Sequence, residues 1–209
     1  MLLRRLAYAT RAVAVTVLVL ASTTPHQAHA LLSRNAEERA IAKLAAQHPQ
    51  QGRPRMSHDA YLHLVARAKA QDMARRDFFG HTDPNGIGPN RVISMTGYRL
   101  PAHYSKRRNG NNVESLTAGT NYTPQLAFKA WMNSPGHRRH LLASESFYRE
   151  QTRFGVGYAK SAGSRYKNYY VFVSAPPSTA RLKPLSNNTI KLFLTKTPRQ
   201  IELIRQRRR

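Results

Sequence analysis

The chain has 209 residues, with 34 Lys or Arg against 10 Asp or Glu, a formal charge of +24 and no cysteine. The missing thiols exclude disulfide stabilisation, a thiol nucleophile and any Cys-ligated metal. A single-sign charge of this size predicts attraction to polyanions: anionic envelope polymers, a lipid surface or nucleic acid.

Residues 1–30 carry the three parts of a secretory signal. Arg4, Arg5 and Arg11 stand without an acid, an apolar run extends from Ala12 to Ala21, and Ala28-His29-Ala30 is a small-x-small site. The apolar run is shorter than the roughly 20 residues needed to cross a bilayer core, which favours a cleaved leader over an uncleaved anchor. Cleavage removes those three arginines and lowers the charge from +24 to +21. Export places the remainder in the periplasm or outside the cell, and so favours envelope partners over nucleic acid.

Residues 33–47 show helical periodicity, and HPQQGRPR at 48–55 breaks it. A second helix is expected from a cap at Ser57 to about Arg76, with Leu62, Ala66, Ala70 and Met73 on one stripe. Its small alanines predict close packing against another element. Phe78-Phe79-Gly80 ends it, and His81-Thr82-Asp83-Pro84-Asn85-Gly86 reads as turns. A short helix over 89–96 closes at Gly97, and a basic loop follows over 99–112. Thr123-Pro124 opens a helix carrying Leu126, Ala127, Ala130 and Trp131 on one face; Asn133-Ser134-Pro135-Gly136 stops it, and His137 to Leu142 adds a turn or two. Phe154 to Tyr158 alternates large and small residues as a tightly packed strand would. Tyr166 to Val173 has strand composition, and a hairpin loop near Gly163-Ser164 joins the two. Helices first and strands later favour an α+β layered domain. Beyond Pro176-Pro177, residues 178–209 read as a mobile basic tail, with a strand at Thr189 to Leu194 and a short helix from Pro198 to Arg205.

The chain has no phosphate loop, no His-Glu-x-x-His and no Gly-x-Ser-x-Gly. Acids are too scarce to offer many carboxylate pairs. His81 and His137 both stand at element boundaries, where side chains converge on pockets and where an imidazole can bind a metal or carry a proton. Each taken alone also fits an ordinary hydrogen-bonded structural histidine.

Three blocks bring these residues together. Residues 62–81 run from Leu62 through Ala66, Ala70 and Met73 to Gly80-His81 and on into Thr-Asp-Pro-Asn-Gly. Residues 123–138 read Thr-Pro-x2-Ala-x3-Trp-Met-Asn-Ser-Pro-Gly-His-Arg, and residues 155–158 read Gly-Val-Gly-Tyr. In this order and spacing the chain resembles the bacterial branch of the CAP superfamily over about residues 35–175. The resemblance implies a three-layer α-β-α sandwich over residues 31–177, between the leader and the 178–209 tail. It also implies a central cleft with two histidines and two glutamates, the histidines holding a divalent metal such as zinc in some members. His81 and His137 match the two histidines.

Both acids depart from the pattern. Asn111 in Gly110-Asn111-Asn112-Val113 stands where the family places its first glutamate, and Ser134 stands at the second. Glu114 is near enough to reach the cleft, although simple strand alternation would put it with Asn112 and opposite Asn111. His140, three residues after His137, reads as a surface residue with a further ligand as the alternative. Without the two glutamates, the favoured function is a non-enzymatic binding domain for an anionic or amphiphilic envelope ligand, with a two-His metal cleft. A metal-dependent hydrolase of peptide or cell-wall material is the alternative, and an exported nucleic-acid binder ranks last because no nucleic-acid module accompanies the charge.

Overall fold

The computed structural model describes residues 32–207. The leader expected at residues 1–30 lies outside the described residues, as do Arg208 and Arg209. Helix α1 (Ala36–Ala46) opens on a capping box: the Asn35 side chain accepts from the Glu38 N–H at 2.8 Å, and the Glu38 carboxylate accepts from the Asn35 N–H at 3.0 Å. The same Glu38 is buried and takes a two-toothed ion pair from Arg67, at 2.9 and 2.5 Å. Arg67 belongs to α2 (Ala60–Arg76), so one carboxylate both starts α1 and ties it to α2.

Asp59, not Ser57, caps α2; its side chain accepts from the Tyr61 and Leu62 N–H groups. Ser57 and His58 instead form a short strand, β1 (Ser57–His58), parallel to β3 (Arg153–Lys160). Ser57 is held in the strand, its N–H donating to the Thr152 carbonyl, and the helix begins two residues later, where the Asp59 carboxylate is the acceptor at the cap. Strand β3 pairs antiparallel with β4 (Asn168–Ala175), and β4 pairs antiparallel with β2 (Glu114–Gly119), giving the order β1-β3-β4-β2.

Helices cover both faces of this sheet, and β4 is buried along its whole length. Tyr169, Val171, Val173 and Ala175 face one core, shared with Leu62, Val65, Ala66 and Met73 of α2. Tyr170 and Phe172 face the other, shared with Ile41 and Ala45 of α1 and with Ala127, Phe128 and Trp131 of α4 (Pro124–Asn133). The α3 helix (Pro89–Met95) belongs to the α2 layer. The expected α+β three-layer sandwich is therefore the observed one. The alternation on β3 has a specific reason. A Cβ on Gly155 would lie 2.1 Å from the His63 backbone nitrogen, and one on Gly157 2.1 Å from the Ala66 carbonyl oxygen. Helix α2 rests with its backbone directly on β3, and only glycine leaves the room.

The chain beyond Pro177 differs from expectation. Thr189 to Leu194 is not a strand but the body of helix α7 (Asn187–Thr195), capped by Ser186, and the segment packs on the domain. The remaining helices in chain order are α5 (Pro135–Leu142), α6 (Ser146–Arg149), α7 (Asn187–Thr195) and α8 (Pro198–Gln206). Ile190, Phe193 and Ile201 are buried in the α2-side core; the three-residue spacing of the first two is one that a helix puts on one face. The single acid of this segment, Glu202, is buried and receives Arg91 of α3, Arg108 of the basic loop and Arg199, each at 3.0 Å. That ion cluster pins α8 to the body.

Candidate functional site

The site is assembled from the end of α2, the start of β2 and the start of α5. Asp83 shapes the first segment: its carboxylate accepts from the Asn85 and Ile87 N–H groups at 3.0 and 2.8 Å, and pairs with Arg76 at 2.9 Å. Lys69 of α2 fixes the residue that matters, its Nζ donating to the His81 carbonyl at 2.8 Å. The His81 ring is then held by Glu114, with Oε1 2.9 Å from Nδ1; the histidine side chain is 39% exposed and the carboxylate 1%.

Glu114 reaches the histidine because residues 111–113 are a turn. The Asn111 side chain accepts from the N–H groups of Val113 and Glu114, at 3.1 and 2.9 Å, and donates to the Glu114 carbonyl at 3.1 Å. Strand alternation begins only at Glu114. The expectation that Asn111 and Glu114 face opposite ways is therefore overturned: both line one cleft, together with His81, Ser134 and His137. Asn111 shapes the turn, and Glu114 supplies the charge.

His137 enters from α5. Ser134 ends α4 and begins α5, its N–H bonded to the Trp131 carbonyl at 3.1 Å and its own carbonyl accepting from Arg138 at 2.8 Å. No hydroxyl cap is formed there, which fits a helix stop rather than half of a Ser–His pair. The rings of His81 and His137 lie with centroids 6.5 Å apart and planes tilted by 52°. Burial, and after it the neighbouring His81, hold the His137 imidazole below the ordinary histidine range. The cleft encloses about 230 Å³ and is open to solvent.

His140 is neither a surface residue nor a free ligand. It is buried, with Nδ1 2.7 Å from Ser115 Oγ and Nε2 2.8 Å from Ser174 Oγ. Full burial, and then Arg53, hold its imidazole well below the ordinary histidine range. Ser174 also bonds Gln151 at 2.7 Å and Arg53 at 3.2 Å, so a polar network underlies the cleft floor. Sequence reasoning missed this network and Lys69. Lys69 is buried, with its pKa lowered by desolvation against the opposing pull of Glu114, Asp72 and Asp83. It lies three residues after Ala66 and four before Met73, on the buried stripe itself, and a cation at that phase was the available signal.

Two imidazole side chains suit zinc in donor chemistry. Glu114 on Nδ1 of His81 orients that ring and leaves Nε2 for an ion, the arrangement in which an outer carboxylate supports a metal-binding histidine. The set is one protein ligand short of the three usual for catalytic zinc, and among the described residues no three His, Asp or Glu side chains are grouped to hold an ion.

Residues 32–174 match the family CAP: Cysteine-rich secretory protein family, and the chain belongs to it. The Bacillus subtilis (strain 168) protein YkwD is 33% identical over 140 residues, covering 66% of this chain; the match spans about half, 48%, of that relative's length. Among solved structures, an outer surface protein from Borrelia burgdorferi aligns at 17% identity and a TM-score of 0.48, over 66% of this chain and 90% of that one. An extracellular SCP-domain protein from Bacillus anthracis str. Ames aligns at 20% identity and 0.46, over 67% and 40%. Among the described residues no helix is long and apolar enough to cross a membrane.

Proposed function

We propose that this CAP domain is exported and binds an anionic ligand of the cell envelope through its cationic surface. The observation that carries the reading is where the few acids are. Glu38, Asp72, Asp83, Glu114 and Glu202 are all buried, the first three and Glu202 in ion pairs with arginine and Glu114 on His81. Half of the carboxylates are thus withdrawn from the surface, while most lysines and arginines remain exposed on it. An anionic partner meets a field that internal pairing has not cancelled. The test is binding of the purified protein to matched anionic and neutral envelope polymers at about 0.1 M salt, where the Debye length is about 10 Å. Equal binding to both would sink the proposal.

The second reading, a metal-dependent hydrolase, is favoured by one observation: Glu114 on His81 beside His137 restores a carboxylate to a cleft that lacks both family glutamates. His81 and His137 would hold the ion, which supplies a Lewis acid and an acidified water when bound. Glu114 would keep His81 in one tautomer, with the proton on Nδ1. Elemental analysis after zinc dialysis tests it, with the His81→Ala/His137→Ala variant as reference; identical zinc content in both proteins rules it out.

A further inference from the structure

A second concavity lies away from the histidine cleft, between α3 and the basic loop. It encloses about 560 Å³, and its cations are Arg91, Arg99, Lys106, Arg107 and Arg205. No Asp or Glu lines it. Arg91 is paired with Glu202, but Arg99, Lys106 and Arg107 have no carboxylate in the lining, and an anion laid along them relieves their mutual repulsion.

The groove walls are fixed rather than loose. The Arg99 N–H donates to Ser178 Oγ at 3.1 Å, and the Arg99 carbonyl accepts from Thr179 at 3.1 Å. At the other end the Ser105 N–H donates to Asn112 Oδ1 at 2.8 Å, and the Ser105 carbonyl accepts from Asn90 Nδ2 at 2.9 Å. Arg91 is held by Glu202. The exposed side chains of Arg99, Lys106 and Arg107 therefore project from pinned backbone, which lowers the ordering cost of binding.

Three features select the ligand. Arginine outnumbers lysine in the lining, and its fork matches the oxygens of a phosphate. The aromatic residues of the lining, Tyr98 and Tyr104, are 1% and 3% exposed, their hydroxyls bonded to the Pro176 carbonyl and to Gln151. They offer no faces on which nucleobases could stack. The exposed large apolar residues, Phe79, Leu126 and Leu203, do not line the groove, and its one leucine, Leu100, is half-buried, so the groove presents no exposed apolar surface for a bilayer. We infer that this groove is the seat of a linear phosphodiester polymer without bases, its phosphates gripped by Arg99, Lys106 and Arg107. The inference rests on the anionic-ligand reading above and gives that ligand a place and a chemistry.

The test compares three full-length proteins: wild type, the groove variant Arg99→Gln/Lys106→Gln/Arg107→Gln, and a control with the same charge loss, Lys43→Gln/Arg55→Gln/Lys129→Gln. The probes are poly(glycerol phosphate), single-stranded DNA of equal phosphate number, polyglutamate, and vesicles of anionic lipid, with thermal melting of each protein alongside. The expected result is that wild type binds poly(glycerol phosphate) more tightly than the other three. The groove variant should lose roughly tenfold or more, and the slope of log affinity against log salt should fall by roughly 2, at ~0.7 per phosphate contact. The control should lose less than about threefold, since unlocalised charge acts only through the screened field. Equal losses in groove variant and control overturn the groove and leave the anionic-ligand reading standing. No binding of any polyanion by wild type overturns both. Tighter binding of DNA, polyglutamate or vesicles overturns the assignment to a base-free phosphodiester. Unchanged melting temperatures keep a binding loss from being a folding loss.

Discussion

The α carbon of Gly157 faces the Ala66 carbonyl so closely that an added Cβ would stand 2.1 Å from its oxygen. Backbone meets backbone here, and no side-chain rotation can relieve the contact. Gly157→Ala is expected to destabilise the domain by about 1–3 kcal/mol or more, through forced separation of α2 from β3. Urea unfolding measures it. Gly163→Ala, in the hairpin loop where a Cβ meets nothing within 4 Å, should stay within about 0.5 kcal/mol of wild type.

Glu202 is one acid among three arginines that come from separate parts of the chain. Its carboxyl is held down to about 2, chiefly by the hydrogen bond from Arg108. Glu202→Gln leaves Arg91, Arg108 and Arg199 facing one another without that counter-charge. Their side chains are about half exposed, so water blunts the cost, and a loss of about 1–2 kcal/mol is expected. Proteolysis should move to the 177–186 linker ahead of α7. Glu145→Gln, which breaks the exposed pair with Arg139, should change nothing measurable.

Acid should destabilise the fold before carboxylates begin to titrate. Burial, and then Arg67, hold His63 down to about 3, and His140 is also held well below the ordinary value by burial. Between about pH 6.5 and about 5 the unfolded chain takes up protons at these positions and the folded chain does not. Stability is therefore complete above about 6.5 and falls as pH falls, by about 1.4 kcal/mol per unit for each such group. His63→Gln should remove one proton's worth of that slope, read from urea midpoints at several pH values.

Zinc affinity, under the second reading, depends on the outer carboxylate. Glu114→Gln should weaken zinc binding by roughly 10- to 100-fold while leaving the fold intact, because the acceptor on the His81 ring loses its charge and holds the ring less firmly. Isothermal titration of wild type and variant measures it. His140→Gln should disturb stability more than zinc uptake, since both ring nitrogens of His140 are already engaged by serines.

Much of this architecture was legible from spacing. The α2 stripe, the Thr123-Pro124 start of α4, and the alternation that marks β3 all carry local signals, and each corresponds to an observed element. What was illegible depends on partners distant in sequence. Strand β2, with the composition ESLTAG, has little strand propensity and exists because Glu114 to Gly119 pairs along β4. The His140 environment needs Ser115 and Ser174, which only the sheet brings together. The position of Glu114 turned on a side-chain-closed turn at Asn111, which shifts the start of the alternation. Helix α7 resembles a strand in sequence because Thr189 to Leu194 is rich in residues that also favour strands, and its apolar spacing gains meaning only against the α2 core.

Strand β4 is flanked on both edges and covered on both faces, and it is the last strand in chain order. Until residue 175 has been synthesised, β2 and β3 have no common neighbour, and the two helical layers have no shared surface to close upon. The emerging chain therefore passes through most of its length without a complete sheet. Any chain cut short before residue 175 should therefore leave both helical layers without the surface on which they close.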